Sequence, residues 1–62
     1  MNKVVEILMK RDDLTKEEAK ARLLEVREMI NDAVDNGEWY EAEDIIADEL
    51  GLEMDYIFDI LY

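Results

Sequence analysis

Apolar residues recur with a helical period over most of this chain. In Val4-Val5-Glu6-Ile7-Leu8-Met9 they cover more than half of a helical wheel, the distribution of a short helix docked on others. Two valines and an isoleucine also suit a strand, but a lone strand has no partner here, so the helix is the better reading. Arg11-Asp12-Asp13 reads as a turn. Beyond it, Ala19, Leu23, Val26, Ile30 and Ala33 follow one another at spacings of four, three, four and three, a seam suited to helix packing. At about 100° per residue, Glu25, Glu28, Asp32 and Asp35 fall on the opposite side of that helix.

Both ends of this long element are written in the residues. Leu14-Thr15-Lys16-Glu17-Glu18 is a capping box: Thr15 can accept from a free amide of the first turn, and Glu18, three residues on, can return a bond to the cap backbone. Asn36-Gly37 stops the helix, because glycine can take the left-handed conformation just past a last turn. A helix over residues 16–36 is about 32 Å long at ~1.5 Å per residue, the longest element of the fold.

A third helix is predicted from about Trp39 to Leu50, with Trp39, Ala42, Ile45, Ile46 and Leu50 facing inward, Glu41, Asp44 and Asp48 in a row outside, and Gly51 as its stop. The last segment, Met54 to Tyr62, is apolar round nearly its whole wheel except at Asp55 and Asp59. Two turns of helix cannot turn all of that surface toward one long neighbour, so Met54, Ile57, Phe58, Ile60 and Leu61 are the candidate residues for self-association. The expectation is an all-α fold: one domain over residues 1–62, a small bundle of three to four short helices, and a homodimer that pairs through the C-terminal helix and the seam of the long helix. A domain of about 60 residues buries only about 60% of the surface its unfolded chain exposes, and pairing is one remedy.

Composition narrows the chemistry. The 62 residues include no cysteine, histidine, serine, glutamine or proline, and a single threonine. No thiolate or imidazole base can be assembled, no soft metal site and no disulfide; the expectation is a protein without catalytic residues, cofactor or metal. Lys3, Glu6 and Lys10 interrupt the first apolar stretch, so no membrane span or signal peptide is expected and the cytoplasm is the expected location.

Charge is segregated along the chain. Residues 1–27 carry all seven cations and six acids, whereas residues 28–62 carry twelve acids and no cation, within a net charge of −11. Such a field repels nucleic acid and anionic lipid, so neither is an expected direct partner. The rows Glu28/Asp32/Asp35 and Glu41/Asp44/Asp48 repeat at three- or four-residue spacing and form two anionic stripes. They are the candidate partner-binding face, able to steer onto a basic cleft and occupy it as phosphates would; the alternative is that they serve solubility alone. Paired carboxylates can hydrolyse glycosides, but four short helices offer little room for the cleft and the raised pKa this needs. A calcium loop with Asp32 first, Gly37 sixth and Glu43 last fails at the third position, where Val34 supplies no oxygen. Trp39 is expected to plug one end of the core, and Tyr40, about 100° further round, to be partly exposed as a candidate anchor.

The run Leu14-Thr15-x-Glu17-Glu18-Ala19, then Asp35-Asn36-Gly37-Glu38 with its aromatic pair, then Glu43 to Glu53 and Asp55-Tyr56-Ile57-Phe58, resembles short acidic proteins of bacteriophage and prophage origin. The resemblance spans residues 14–61. It implies a non-enzymatic inhibitor of host anti-phage defence that binds a nuclease, helicase or guide complex, and it carries over no functional residue. Its expected partner is a host defence protein with a basic surface. A second expectation is a helical adaptor or regulatory protein that docks through its apolar C-terminal helix.

Overall fold

The computed structural model describes residues 2–62, and in these every regular element is helical. Helix α1 runs Lys3–Arg11, α2 Lys16–Asp35 and α3 Glu41–Ile45. A wider, π-helical turn over Ile46–Leu50 continues α3, and a 3-10 turn over Met54–Tyr56 leads into α4, Ile57–Leu61. The molecule measures 34 × 18 × 17 Å. Since the 20 residues of α2 span about 30 Å, that helix sets the long axis and the others pack along it.

The seam of α2 is buried at all five positions, but against the chain's own helices, so it is not a surface on which a second copy could pair as expected. Facing it are Val4, Val5 and Leu8 of α1, Ala42, Ile46 and Leu50 of the third helical stretch, and Ile60 of α4. Fully burying one aliphatic side chain of this size stabilises the fold by about 1.5–3 kcal/mol, so these few contacts dominate its energetics. No polar or charged residue among those described is buried.

Local caps define α2. Thr15 Oγ1 accepts from the Glu18 amide at 3.1 Å while the Thr15 amide donates to Glu18 Oε1 at 2.9 Å, completing the capping box. At the far end the Glu38 amide reaches Ala33 O at 2.7 Å and the Gly37 amide reaches Val34 O at 3.0 Å. These two bonds are a Schellman closure, and they require the left-handed φ of +76° that Gly37 adopts. Gly51, at φ +65°, also stops the third helix in the left-handed conformation, but with an αL-type bond, its amide donating to Ala47 O at 3.0 Å.

Carbonyls at the ends of the later helices are closed from outside. Residues 28–62 contain no lysine or arginine, so neither α3 with its π turn nor α4 has a cation in its last turn. Instead Arg22 of α2 donates from Nη2 to Glu49 O at 3.0 Å and to Glu49 Oε2 at 2.9 Å. Arg27, also of α2, donates from Nε to Ile60 O at 2.7 Å. Asn2 serves two helices at once: its Oδ1 caps α1 by accepting from the Val4 amide at 2.7 Å, and its Nδ2 donates to Asp59 O. The basic half of the chain thereby completes the helices of the acidic half.

Two further sequence expectations need correction. Trp39 is not a core plug: it is 66% exposed. The Schellman closure occupies Gly37 and Glu38, and α3 begins only at Glu41 from an N-cap, Tyr40, that makes no side-chain cap bond. Trp39 therefore precedes the helix and has no core face opposite it. Ile60 is not a surface residue either, being fully buried against the subunit's own core. One face of α4 carries Ile57, Ile60 and Leu61 inward, and the opposite face carries Phe58 and Tyr62.

Candidate protein-binding surface

Because α2 spans the long axis, the α2–α3 turn lies at one pole of the molecule. Acids crowd it from both sides. Asp32 and Asp35 are exposed in the last turns of α2 and Asp44 is exposed in α3, whereas Glu41 is half-buried; Asp48, in the π turn, is exposed but lies two helical turns beyond Glu41. Glu38, absent from the two rows read off the helical wheels, joins them. Its charge is the main cause that holds the Glu41 carboxyl above the usual carboxylate range, with desolvation, a side-chain hydrogen bond between the two glutamates and the Asp44 charge adding to it. Glu38, Glu41 and Asp44 thus form one electrostatic group. Glu28 is exposed but lies two helical turns back, about 10 Å along the axis from Asp35.

The ion pairs lie away from this pole, in the basic half of the chain and at Glu49. Among the described residues the ion pairs are Arg11 with Asp12, Arg22 with Glu25 and Arg22 with Glu49. Among the described residues, Glu49 is the one acid of the twelve in residues 28–62 that has a cation partner. Asp12 contrasts with Glu41: the Arg11 guanidinium, donating from both Nε and Nη2 at 2.9 Å, holds its carboxyl below the usual range.

Aromatic residues stand in the middle of the acidic pole. Tyr40, the candidate anchor, is 63% exposed beside Trp39. The missing cap residue ahead of Glu41 is the one sequence signal that could have placed Trp39 outside the helix.

The tail offers a second, smaller surface. Met54, Ile57 and Leu61 are half-buried against the core, which leaves Phe58 and Tyr62 as the apolar groups in solvent. Their rings stack with centroids 6.2 Å apart.

An open depression of about 500 Å³ lies beside the connection from the third helix to α4, lined in part by Lys3, Glu53, Asp55, Tyr56 and Asp59. Among the described residues no acidic side chains gather in a metal-holding group, and no helix is long and apolar enough to cross a membrane. The chain matches no protein family, no curated protein and no solved structure.

Proposed function

We propose that this protein acts by binding: its acidic half docks on a basic, nucleic-acid-binding surface of a partner and blocks it, in the manner of a phage-type inhibitor of a host defence complex. One observation carries the reading. Residues 28–62 hold twelve carboxylates, none of them buried, and only Glu49 has a cation partner among the described residues.

The placement of these acids costs stability. Asp32 and Asp35 sit at the negative end of the α2 dipole with no basic residue in the same turn, where an acid is unfavourable by about 0.3–1 kcal/mol. Acids that a fold keeps against its own local preference are expected at functional sites.

Expression of the chain in bacterial hosts carrying nuclease-, helicase- or guide-dependent defence systems tests the proposal. It should restore phage plating on the host whose defence it targets. Reversal of Asp35, Asp44 and Asp48 to lysine should abolish that effect while circular dichroism stays unchanged. Restoration undiminished by the reversal removes the acidic face from the mechanism.

A second reading is favoured by the exposed Phe58–Tyr62 stack, at 70% and 89% exposure. In it the tail docks on an apolar groove of a partner or on a second copy of the chain, giving a homodimer. Ionic strength separates the two readings: association through the acidic face weakens steeply with salt, whereas tail docking barely responds. Phe58→Asp, at a position outside the core, should convert a dimer to a folded monomer in light scattering. A dimer that survives it does not form through this stack.

A further inference from the structure

Burying a large aromatic side chain is among the strongest contributions a small core can gain, yet the one tryptophan of this chain stands in water with a tyrosine beside it. The turn does not need aromatic side chains. Its bonds are made by backbone: the Glu41 amide donates to Glu38 O at 2.9 Å and the Ala42 amide to Trp39 O at 3.0 Å. What surrounds the two rings selects what can cover them. Glu38 and Glu41 flank them in the chain, Asp35 ends α2 just before, and Asp44 follows one helical turn later.

An apolar partner would strip water from these carboxylates and leave them unpaired, a heavy cost. An ammonium group would neutralise them but remains strongly hydrated and makes poor use of the ring faces. A guanidinium meets both demands, since it is planar, weakly hydrated, stacks on aromatic faces and donates paired N–H groups to a carboxylate. We infer that Trp39 and Tyr40, with Glu38 and Glu41 at their sides, form an arginine-selective docking surface whose occupant is an arginine-rich segment of a partner protein. The inference rests on the acidic-face reading above and narrows it, because that reading accepts any cation and this one requires arginine at the pole.

Octa-arginine and octa-lysine peptides, dye-labelled and followed by anisotropy over a salt series, provide the test with the full chain. Octa-arginine should bind about two- to five-fold more tightly, the range of an exposed cation–π contact, and should alter Trp39 emission. Trp39→Leu/Tyr40→Leu should remove the preference and leave octa-lysine affinity nearly unchanged. Trp39→Phe/Tyr40→Phe, which keeps ring faces, should retain the preference, and circular dichroism checks that both variants fold. Equal, salt-sensitive affinity for the two peptides overturns the inference and leaves the acidic-face reading standing. A preference that persists in the leucine variant also overturns it, by moving the arginine contact elsewhere. If neither peptide binds, both readings fall.

Discussion

Helix α2 and the segment from Glu41 to Tyr62 are finished in opposite ways. The ends of α2 are closed by residues adjacent to them in sequence: Thr15 with Glu18 at one end, Gly37 and Glu38 at the other. In the acidic segment Gly51 is a local stop, but the carbonyls of Glu49, Asp59 and Ile60 are satisfied by Arg22, Asn2 and Arg27. Neither region has a cation in the last turn of its helices; α2 is closed by the backbone bonds that Gly37 permits, whereas the carbonyls of the acidic segment also take donors from elements distant in sequence. Charge segregation has a structural consequence here: the acidic half takes donors for its helix ends from the basic half, and among the described residues its carboxylates other than Glu49 have no ion-pair partner.

Removing the anchor of the borrowed arrangement should have the largest effect. Ile60 is the one fully buried side chain of α4, so Ile60→Ala is expected to cost about 2–5 kcal/mol. At roughly 0.05–0.15 kcal/mol per residue, a chain this size has about 3–9 kcal/mol in all. Urea denaturation should show a large fall in midpoint, and a loss under 1 kcal/mol would mean that α4 contributes little to the core.

Next comes the arginine latch. Arg27→Met keeps most of the aliphatic stem and removes the donor to Ile60 O, a charge-assisted bond whose loss is expected to cost about 1.5–3 kcal/mol. The effect should be local. Amide exchange at Tyr62, which donates to Phe58 O at 2.9 Å, should accelerate before exchange in the middle of α2. Uniform acceleration would show that the latch serves the whole fold and not the tail.

The locally closed helix should respond less. Thr15→Ala removes the acceptor for the Glu18 amide, and a loss of about 1 kcal/mol is expected by thermal or urea unfolding. If Thr15→Ala costs more than Arg27→Met, the contrast between local and borrowed closure is wrong in its energetic ordering.

These two kinds of closure also explain how much could be read in advance. The capping box, the glycine stops at 37 and 51 and the seam of α2 are relations between residues at most a few turns apart, so spacing alone exposes them. The donors to Glu49 O, Ile60 O and Asp59 O lie 27, 33 and 57 positions away. No periodicity records such pairings, which arise only when helices pack. The start of α3 fell between these cases: periodicity ran back through Trp39, and the Schellman closure at Gly37 and Glu38 took precedence. In the tail, nearly every face is apolar except at Asp55 and Asp59, so only packing decides that Ile60 turns in and Phe58 out. At the candidate site the acidic rows were legible because carboxylates avoid burial, whereas the exposed indole contradicts the preference of its own side chain.

The smallest effect should come from the acidic pole itself. Glu41 is raised chiefly by the Glu38 charge, so the folded chain holds that proton more tightly than the unfolded chain does. In the window between the ordinary glutamate value of about 4.5 and the raised one, stability therefore falls as pH rises and returns on acidification. Asp12 runs the other way: its folded value is depressed, so its contribution is present above the unfolded value and is lost as pH falls through the folded one. Glu38→Gln removes the main cause of the Glu41 shift and leaves the Arg11–Asp12 pair untouched. Carboxyl-carbon NMR should then show the Glu41 midpoint moving down toward its ordinary value while the Asp12 midpoint stays where it was. A Glu41 midpoint unmoved by the substitution would mean that Glu38 and Glu41 do not share a field, and the pole would be a set of separate charges with no collective pull on a cation.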